Sequence, residues 1–435
     1  MTKRKILESK KHHKSYVWNE SDGRNGRATA DYFTGLLNKN RTQKSGKVEY
    51  TGMILDEVQA ILFSCIKGTE KLPQDVLNGG FTKAFFRPQK NGRLSSELFL
   101  SAFNDCVRDY ENEVPRKYVF STTIAVQDSK ALSGLFKYVN KFGAKLLTSV
   151  NLKRKVLGER AACLRHIQQQ ENIGEITEKF TELLLIQVSG RSVWEAYQSG
   201  KRAVDLVRSI LNFQINKHAQ LRVSSGSRQP VNKILSGILH TIHDSKGVLQ
   251  TECFWHEDNY PVFTNRYNLS KDYEKRVSYL DSILAMLKRS KLRAECEGAL
   301  LRYNSSLDQR DWVGSFKDLW STFEYITDTG KATYDVTLQR ASTAFADPQY
   351  AAELGKHLRT RRNALVHSSF EEPNAEILIY QLKRLVEPTL LRLLRNTPQL
   401  LNMQEFGAYL SQPRSVEQLK RSIYIQKAAI RYYST

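Results

Sequence analysis

The stretch Asp311-Trp-Val-Gly-Ser-Phe-Lys-Asp-Leu-Trp-Ser-Thr-Phe-Glu-Tyr-Ile326 decides the fold class of the second half of this chain. Its large apolar residues recur at intervals of three and four, which places them on one stripe of an α-helix. The members of this stripe are Val313, Phe316, Leu319, Trp320 and Phe323. The spacing therefore predicts an amphipathic helix that buries one face against other helices.

The same helical periodicity continues on both sides of this stretch, and strand patterns almost vanish after residue 266. Further helices are predicted over 272–287, 291–303, 334–345, 349–366, 377–394 and 416–432. The prolines Pro348, Pro373, Pro398 and Pro413 mark boundaries between helices. Residues 266–435 are therefore predicted to form an all-α helical bundle.

The preceding part of the chain mixes helical and strand patterns. Helical spacing occurs over 51–67, 95–110 and 130–138, and β-branched or aromatic runs predict strands at 117–126, 183–188 and 219–223. The segments 234–242 and 248–254 flank His243-Asp-Ser-Lys-Gly247, which predicts a hairpin turn. Residues 49–265 are thus predicted to form an α+β domain. Residues 1–48 are polar and basic and predict a mobile arm with at most one short helix, over 28–37.

The charge balance points to a polyanionic partner. The chain has 435 residues, with 66 Lys and Arg against 45 Asp and Glu, a net charge of +21. Such an excess is typical of nucleic-acid-binding proteins, although it also serves solubility alone. The five cysteines form no C-x-x-C pair, which argues against a disulfide framework and a four-cysteine zinc site. Since no apolar run approaches the ~18 residues of a membrane helix and no signal peptide is evident, we expect a cytoplasmic protein without a membrane partner.

The motif Arg362-Asn363-x-x-x-His367 carries the residues best suited to chemistry. Asn363 and His367 are four residues apart on a predicted helix, so their side chains share one face, and Arg362 can reach that face. An imidazole moves protons near neutral pH, and a guanidinium binds phosphate oxygens. RNA cleavage by its own 2′-OH needs these two functions and no metal. The alternative is that Arg362 and His367 are solvated groups at a helix C-terminus.

Arg-Asn-Ala-Leu-Val-His367, together with the preceding helix Leu319-Trp-Ser-Thr-Phe-Glu-Tyr-Ile326, resembles the HEPN superfamily. Within it, the sequence is most similar to the Apea-like HEPN domains of bacterial defence proteins, over about residues 300–400. The resemblance implies a homodimer in which two motifs face each other, and metal-independent endoribonuclease activity without a cofactor. It implies that Arg362, Asn363 and His367 are active-site residues and that Glu324 orients Arg362 by an ion pair. Glu324 is alternatively a half-buried carboxylate without a role.

These observations favour an endoribonuclease that acts as an antiphage, abortive-infection or toxin effector. Arg359 and Arg361 are expected to bind the RNA backbone beside the motif. Residues 49–265 are expected either to control activity in response to a phage component or another ligand, or to capture the substrate. Further basic clusters lie at 153–155 and 288–293. The alternatives are a non-catalytic HEPN-like adaptor that binds nucleic acid or protein and, less favoured, a DNA-binding regulator.

A second cluster contains residue types that bind zinc, namely His240, His243, Cys253 and His256. On the predicted hairpin, His240 and Cys253 would lie on facing strands. The spacing H-x-x-H with C-x-x-H matches no zinc module, so incidental polar residues on a strand pair are the favoured interpretation and no metal site is predicted.

Overall fold

The computed structural model describes residues 15–20, 25–51, 55–69, 72–89, 92–171, 181–216, 230–250, 255–256, 267–330, 333–367 and 375–434. The chain divides into two compact units. The first unit comprises Met1–Tyr118 with Ser189–Gln198, and the second comprises Val119–Val188 with Ser199–Thr435. The predicted boundary at residues 265 and 266 therefore falls inside the second unit.

The first unit is built around an aromatic core. It contains helices α1 (Gly26–Lys39), α2 (Leu55–Ser64), α3 (Gln74–Phe86) and α4 (Ser96–Asn112), and the hairpin β1 (Arg41–Lys44) and β2 (Lys47–Tyr50). Phe81, Phe85, Phe99 and Phe103 are buried between the helices. Residues 26–48 belong to the predicted mobile arm, whose one short helix over 28–37 is present as α1. This helix and the hairpin are part of the packed unit, because Ala30 and Leu37 of α1 are buried in its core. Residues 1–14 of that arm lie outside the described residues.

A mixed region of sheet and helices opens the second unit, although residues 116–118, 189–190 and 193–198 of its elements are counted with the first unit. Its five-stranded sheet has the order β5-β6-β3-β7-β8, and β4 pairs with β9 in parallel. The strands are β3 (Arg116–Ile124), β4 (Val126–Gln127), β5 (Lys145–Leu147), β6 (Glu182–Gly190), β7 (Leu239–His243), β8 (Trp255–His256) and β9 (Tyr267–Asn268). The helices are α5 (Ser129–Phe136), a 3₁₀ helix (Lys137–Phe142), α6 (Val150–Glu171) and α7 (Val193–Asn216).

The predicted strands at 117–126 and 183–188 and the turn at 243–247 are confirmed, whereas the predicted strand at 219–223 lies outside the described residues. In the turn, the Asp244 carboxylate accepts hydrogen bonds from two backbone N–H groups, and Gly247 adopts a positive φ of 85°. Helices α6 and α7 were not predicted. Gly200 of α7 packs directly on β3, where an added Cβ would lie 2.4 Å from the Phe120 ring.

The remainder of the second unit is helical, as predicted. Its helices are α8 (Tyr273–Arg289), α9 (Arg293–Asp308), α10 (Trp312–Thr327), α11 (Tyr334–Ser342), α12 (Pro348–His367), α13 (Ala375–Arg395), α14 (Met403–Leu410) and α15 (Val416–Tyr433). Helix α10 packs between α9 and α13, and Phe316, Leu319, Trp320 and Phe323 of the predicted stripe are buried. Asp311 caps α10 by accepting hydrogen bonds from two backbone N–H groups. The short helix α14 was not predicted.

Buried polar contacts join the sheet region to the helical bundle. The Arg208 guanidinium on α7 is 3% exposed and binds Asp205 of the same helix and Asp308 of α9, with N···O distances of 2.9 and 2.7 Å. Lys383 of α13 donates to the backbone oxygen of Asn216, at 2.8 Å. A fragment that begins at residue 266 would leave Asp308 without its cation, so we do not expect the helical bundle to fold alone.

Candidate active site

The Arg-Asn-x-x-x-His motif lies on the last two turns of α12. This helix begins after Asp347, whose side chain accepts hydrogen bonds from the backbone N–H groups of Gln349 and Tyr350. Leu358 and Leu365 are buried, and Arg362 shares their face of the helix because it is four residues after one and three before the other. The packing of α12 therefore turns Arg362 toward the bundle. His367 is the last residue of α12, and its side chain lies outside the described residues.

Arg362 lies over an aromatic ring. Its guanidinium carbon is 4.9 Å from the centre of the Tyr334 ring, at the start of α11. Tyr334 in turn makes an edge-to-face contact with Trp320 of α10, with ring centres 5.9 Å apart. A guanidinium is attracted to the face of such a ring, so the pair holds Arg362 in place without neutralising its charge.

Glu324 does not form the predicted ion pair with Arg362. Its carboxylate accepts a hydrogen bond of 2.9 Å from Trp320 Nε1, one helical turn earlier. The Trp320 side chain is 1% exposed, and a buried indole N–H needs an acceptor, which Glu324 supplies. Glu324 therefore holds the Trp320 ring in place, Trp320 contacts the Tyr334 ring, and Tyr334 contacts Arg362.

Asn363 contributes an unsatisfied acceptor. Its side-chain oxygen Oδ1 is buried and accepts no hydrogen bond from any residue that the structure describes. Buried polar atoms are almost always paired, so an unpaired one beside a basic side chain is a candidate for binding a ligand or for orienting a neighbouring group. The motif predicts that Asn363 belongs to the site. That its side-chain oxygen is buried without a hydrogen bond is seen only in the tertiary structure.

Arg359 and Arg361, the two predicted RNA contacts, differ in their surroundings. Arg359 forms an ion pair of 2.5 Å with Asp335 in the first turn of α11. Arg361 is exposed on the outer face of α12. Arg361 is thus an exposed residue next to the motif, and the ion pair of Arg359 helps to hold α12 against α11.

Four basic side chains surround a cleft of about 550 Å³. The sequence did not predict that these four residues lie together. We call this group the basic cleft, and it consists of Lys141, Arg202, Lys291 and Arg293 around Glu297. The carboxylate of Glu297 is largely buried and binds Arg202 Nη2 at 2.5 Å and Arg293 Nε at 2.7 Å. Four cations face one carboxylate, so the cleft keeps a strong positive charge.

Helix α9 begins at this cleft. Its N-terminal residue Leu292 supplies no side-chain cap, so the positive end of the helix dipole adds to the charge of the four cations. Of these cations, Lys291 and Arg293 belong to the basic cluster at 288–293 that the sequence shows. Lys141 and Arg202 come from the 3₁₀ helix and from α7, and only the tertiary structure brings them there.

The basic cleft and the motif lie toward opposite ends of α13. Cys296 Sγ, in the first turn of α9, donates to the backbone oxygen of Leu393 near the end of α13, whereas Tyr350, near the start of α12, accepts from Arg384, so that the end of α12 lies toward the start of α13. Tyr325, the residue after Glu324, lies against the first turns of α9, with its hydroxyl 3.5 Å from the backbone oxygen of Glu295. The last turns of α10 thus separate the ring pair under Arg362 from the start of α9.

The two candidate zinc ligands whose side chains the structure describes, His240 and His243, do not share one face of the sheet. His240 and His243 are three residues apart on β7, so their side chains point to opposite faces of the sheet. His240 Nδ1 is 2.9 Å from Thr122 Oγ1, and His243 Nε2 is 2.7 Å from Thr241 Oγ1. Burial lowers the pKa of His243 to about 4. Cys253 and the side chain of His256 lie outside the described residues, and within the described ranges no three potential ligands cluster.

No protein-family model, curated protein or solved structure matches this chain. Among the helices that the structure describes, none combines the length and the apolar character needed to cross a membrane. The functional assignment therefore depends on the residues of α12 and their surroundings.

Proposed function

We propose that this protein is a metal-independent endoribonuclease with a HEPN-type helical bundle. In this reaction the 2′-OH of the RNA attacks the adjacent phosphodiester, and the bond to the 5′-oxygen of the next nucleotide breaks. The observation that carries the proposal is the Arg-Asn-x-x-x-His motif at the end of α12, with Arg362 held over Tyr334 and kept free of a carboxylate partner among the described residues.

Each motif residue has a distinct role in the proposed reaction. His367 transfers the proton at the 2′-OH or at the leaving oxygen, because an imidazole exchanges protons near neutral pH. Arg362 stabilises the additional negative charge on the phosphorus in the transition state. Asn363 contributes the buried Oδ1 acceptor, and Arg361 is the exposed cation that binds a neighbouring phosphate.

Substrate capture is assigned to the basic cleft. Each phosphate that a Lys or Arg neutralises releases counterions, so four cations at one cleft favour an RNA strand strongly at low salt. The net charge of +21 gives the same preference over the whole chain.

The proposed biological role is that of a cytoplasmic antiphage, abortive-infection or toxin effector. One motif supplies a single imidazole, whereas acid and base catalysis together need two proton-transfer groups, which a homodimer with facing motifs provides. Control by the region that precedes the helical bundle, through a phage component or another ligand, requires only a few kcal/mol of differential binding.

Cleavage of labelled RNA in EDTA tests the proposal, with wild type compared with His367→Ala and Arg362→Ala. His357→Ala is the matched control, because His357 is an exposed histidine on the same helix. We expect wild type and His357→Ala to cut and the two motif variants to be inactive, and a 2′-deoxy nucleotide at the cut site to block cleavage. An absolute requirement for Mg²⁺ would contradict the mechanism.

The same assay separates the alternative function. If the wild-type protein binds RNA but does not cut it, with or without candidate triggers, then it is a HEPN-like adaptor instead. Mixing wild type with His367→Ala should lower activity by more than simple dilution if two motifs act together.

A further inference from the structure

Among the residues that the structure describes, the C-terminal helix α15 contacts none that buries one of its side chains. None of its residues, Val416–Tyr433, is buried. Its apolar side chains are largely in solvent, with exposed fractions of 64% for Val416, 51% for Ile423 and 64% for Ile430. Ser415 caps the helix by accepting from Gln418 N, and Arg414 anchors the preceding segment to the backbone oxygens of Ser342 and Phe345.

Four of the five Val, Leu and Ile residues of α15 follow a heptad pattern. Residues at alternating intervals of three and four form a single stripe, and positions a and d of this stripe are Val416, Leu419, Ile423, Gln426, Ile430 and Tyr433. All three a positions are β-branched, and the first d position is Leu. β-Branched residues at a with Leu at d favour a two-stranded parallel coiled coil, and Gln426 is the one polar residue of the stripe.

The charges beside the stripe favour the parallel orientation of two identical helices. Lys420 and Lys427 occupy e positions, and the g positions before them are Ser415 and Ser422. In a parallel pair each e lysine faces a g serine, without like-charge repulsion. In an antiparallel pair the e positions face each other, so that Lys420 of each copy would lie beside Lys427 of the other.

We propose that α15 pairs with α15 of a second copy of this chain as a parallel two-stranded coiled coil. The 18 residues of the helix give a seam about 27 Å long, with about two and a half heptads. The helix is already capped in the single chain, so pairing costs little further ordering. This dimer contact is separate from the motif on α12 and stands independently of the proposed ribonuclease activity.

Sedimentation velocity of the full chain at several concentrations tests the contact. Ile423→Asp places a charge in the seam, and Ile425→Asp is its matched control, because Ile425 is 54% exposed on the same helix but lies at a c position. We expect wild type and Ile425→Asp to dimerise and Ile423→Asp to dissociate at least tenfold more readily, with equal helix content by circular dichroism. A monomeric wild type at micromolar concentration, or equal weakening by both substitutions, would overturn the proposal.

A cysteine cross-link tests the orientation. Ile430→Cys brings two thiols together at one a layer of a parallel pair, whereas an antiparallel pair separates them by about 16 Å, beyond the reach of a disulfide. We expect mild oxidation to cross-link Ile430→Cys into a covalent dimer, and to leave wild type and Ile425→Cys as single chains. Cross-linking of Ile425→Cys as fast as Ile430→Cys, or none in either variant, would overturn it.

Discussion

Replacing Tyr334 with leucine tests whether the aromatic ring positions Arg362 for the reaction. The guanidinium carbon is 4.9 Å from the ring centre, within the range of a cation–π interaction. Such a contact contributes about 0.5–1 kcal/mol at an exposed site and about 2 kcal/mol when desolvated, so the half-buried Arg362 gains about 1–1.5 kcal/mol. If Arg362 acts in the transition state from this position, Tyr334→Leu should slow cleavage by roughly tenfold.

The phenylalanine variant is the control for this substitution. Tyr334→Phe keeps the ring under Arg362 and its contact with Trp320, so we expect a cleavage rate within about twofold of wild type. Because Tyr334 also packs on Trp320, the melting temperature of both variants must be measured, and rates compared well below it.

Single-turnover cleavage of a labelled RNA in EDTA is the assay. In an Arg362→Ala background, Tyr334→Leu should produce no further loss, because the interaction that it removes no longer exists. Equal rates for the leucine and phenylalanine variants would refute the positioning role of the ring. The same refutation follows if Tyr334→Leu slows cleavage by the same factor in the Arg362→Ala background as in the wild-type background.

Three further predictions concern the sheet region and the basic cleft. Arg208→Met leaves Asp308 without its cation and Asp205 with Lys201 alone, and should lower the free energy of unfolding by about 3 kcal/mol in urea titrations. Burial lowers the pKa of His243 to about 4, below its unfolded value of about 6.5, so the unfolded state binds more protons between these values. Stability should therefore fall by about 3 kcal/mol as the pH falls from 6.5 to 4, and urea titrations of His243→Gln should show a flatter profile. Combining Lys141→Ala with Lys291→Ala should reduce the salt dependence of RNA binding by about 1.4 in log–log slope, whereas Lys246→Ala, on an exposed turn, should leave fluorescence anisotropy titrations unchanged.

Local periodicity predicted α10 because its buried stripe is wholly apolar. Helix α6 was missed because its buried face includes Arg160, whose guanidinium donates to the backbone oxygen of Leu239 and to Ser121. A charged residue at a buried position interrupts the apolar pattern that predicts a helix. The arginine can still be buried, because oxygen atoms of the neighbouring strands accept its hydrogen bonds. The hairpin within 26–50 was missed because its polar strands carry few apolar residues, and α1 packs on a core that forms only in the folded unit.

The sequence by itself determined the α+β and helical halves of the chain, the positions of most helices and the residues of the motif on α12, because helical spacing and motif identity are local properties. Only the tertiary structure decided which groups meet. It replaced the predicted Glu324–Arg362 ion pair with a path through two aromatic rings. It also assembled the basic cleft from Lys141, Arg202 and the start of α9. Residues so far apart in the chain come together through helix packing and through the pairing of buried charges. Neither produces a regular spacing of residues in the sequence, so local patterns do not predict these contacts.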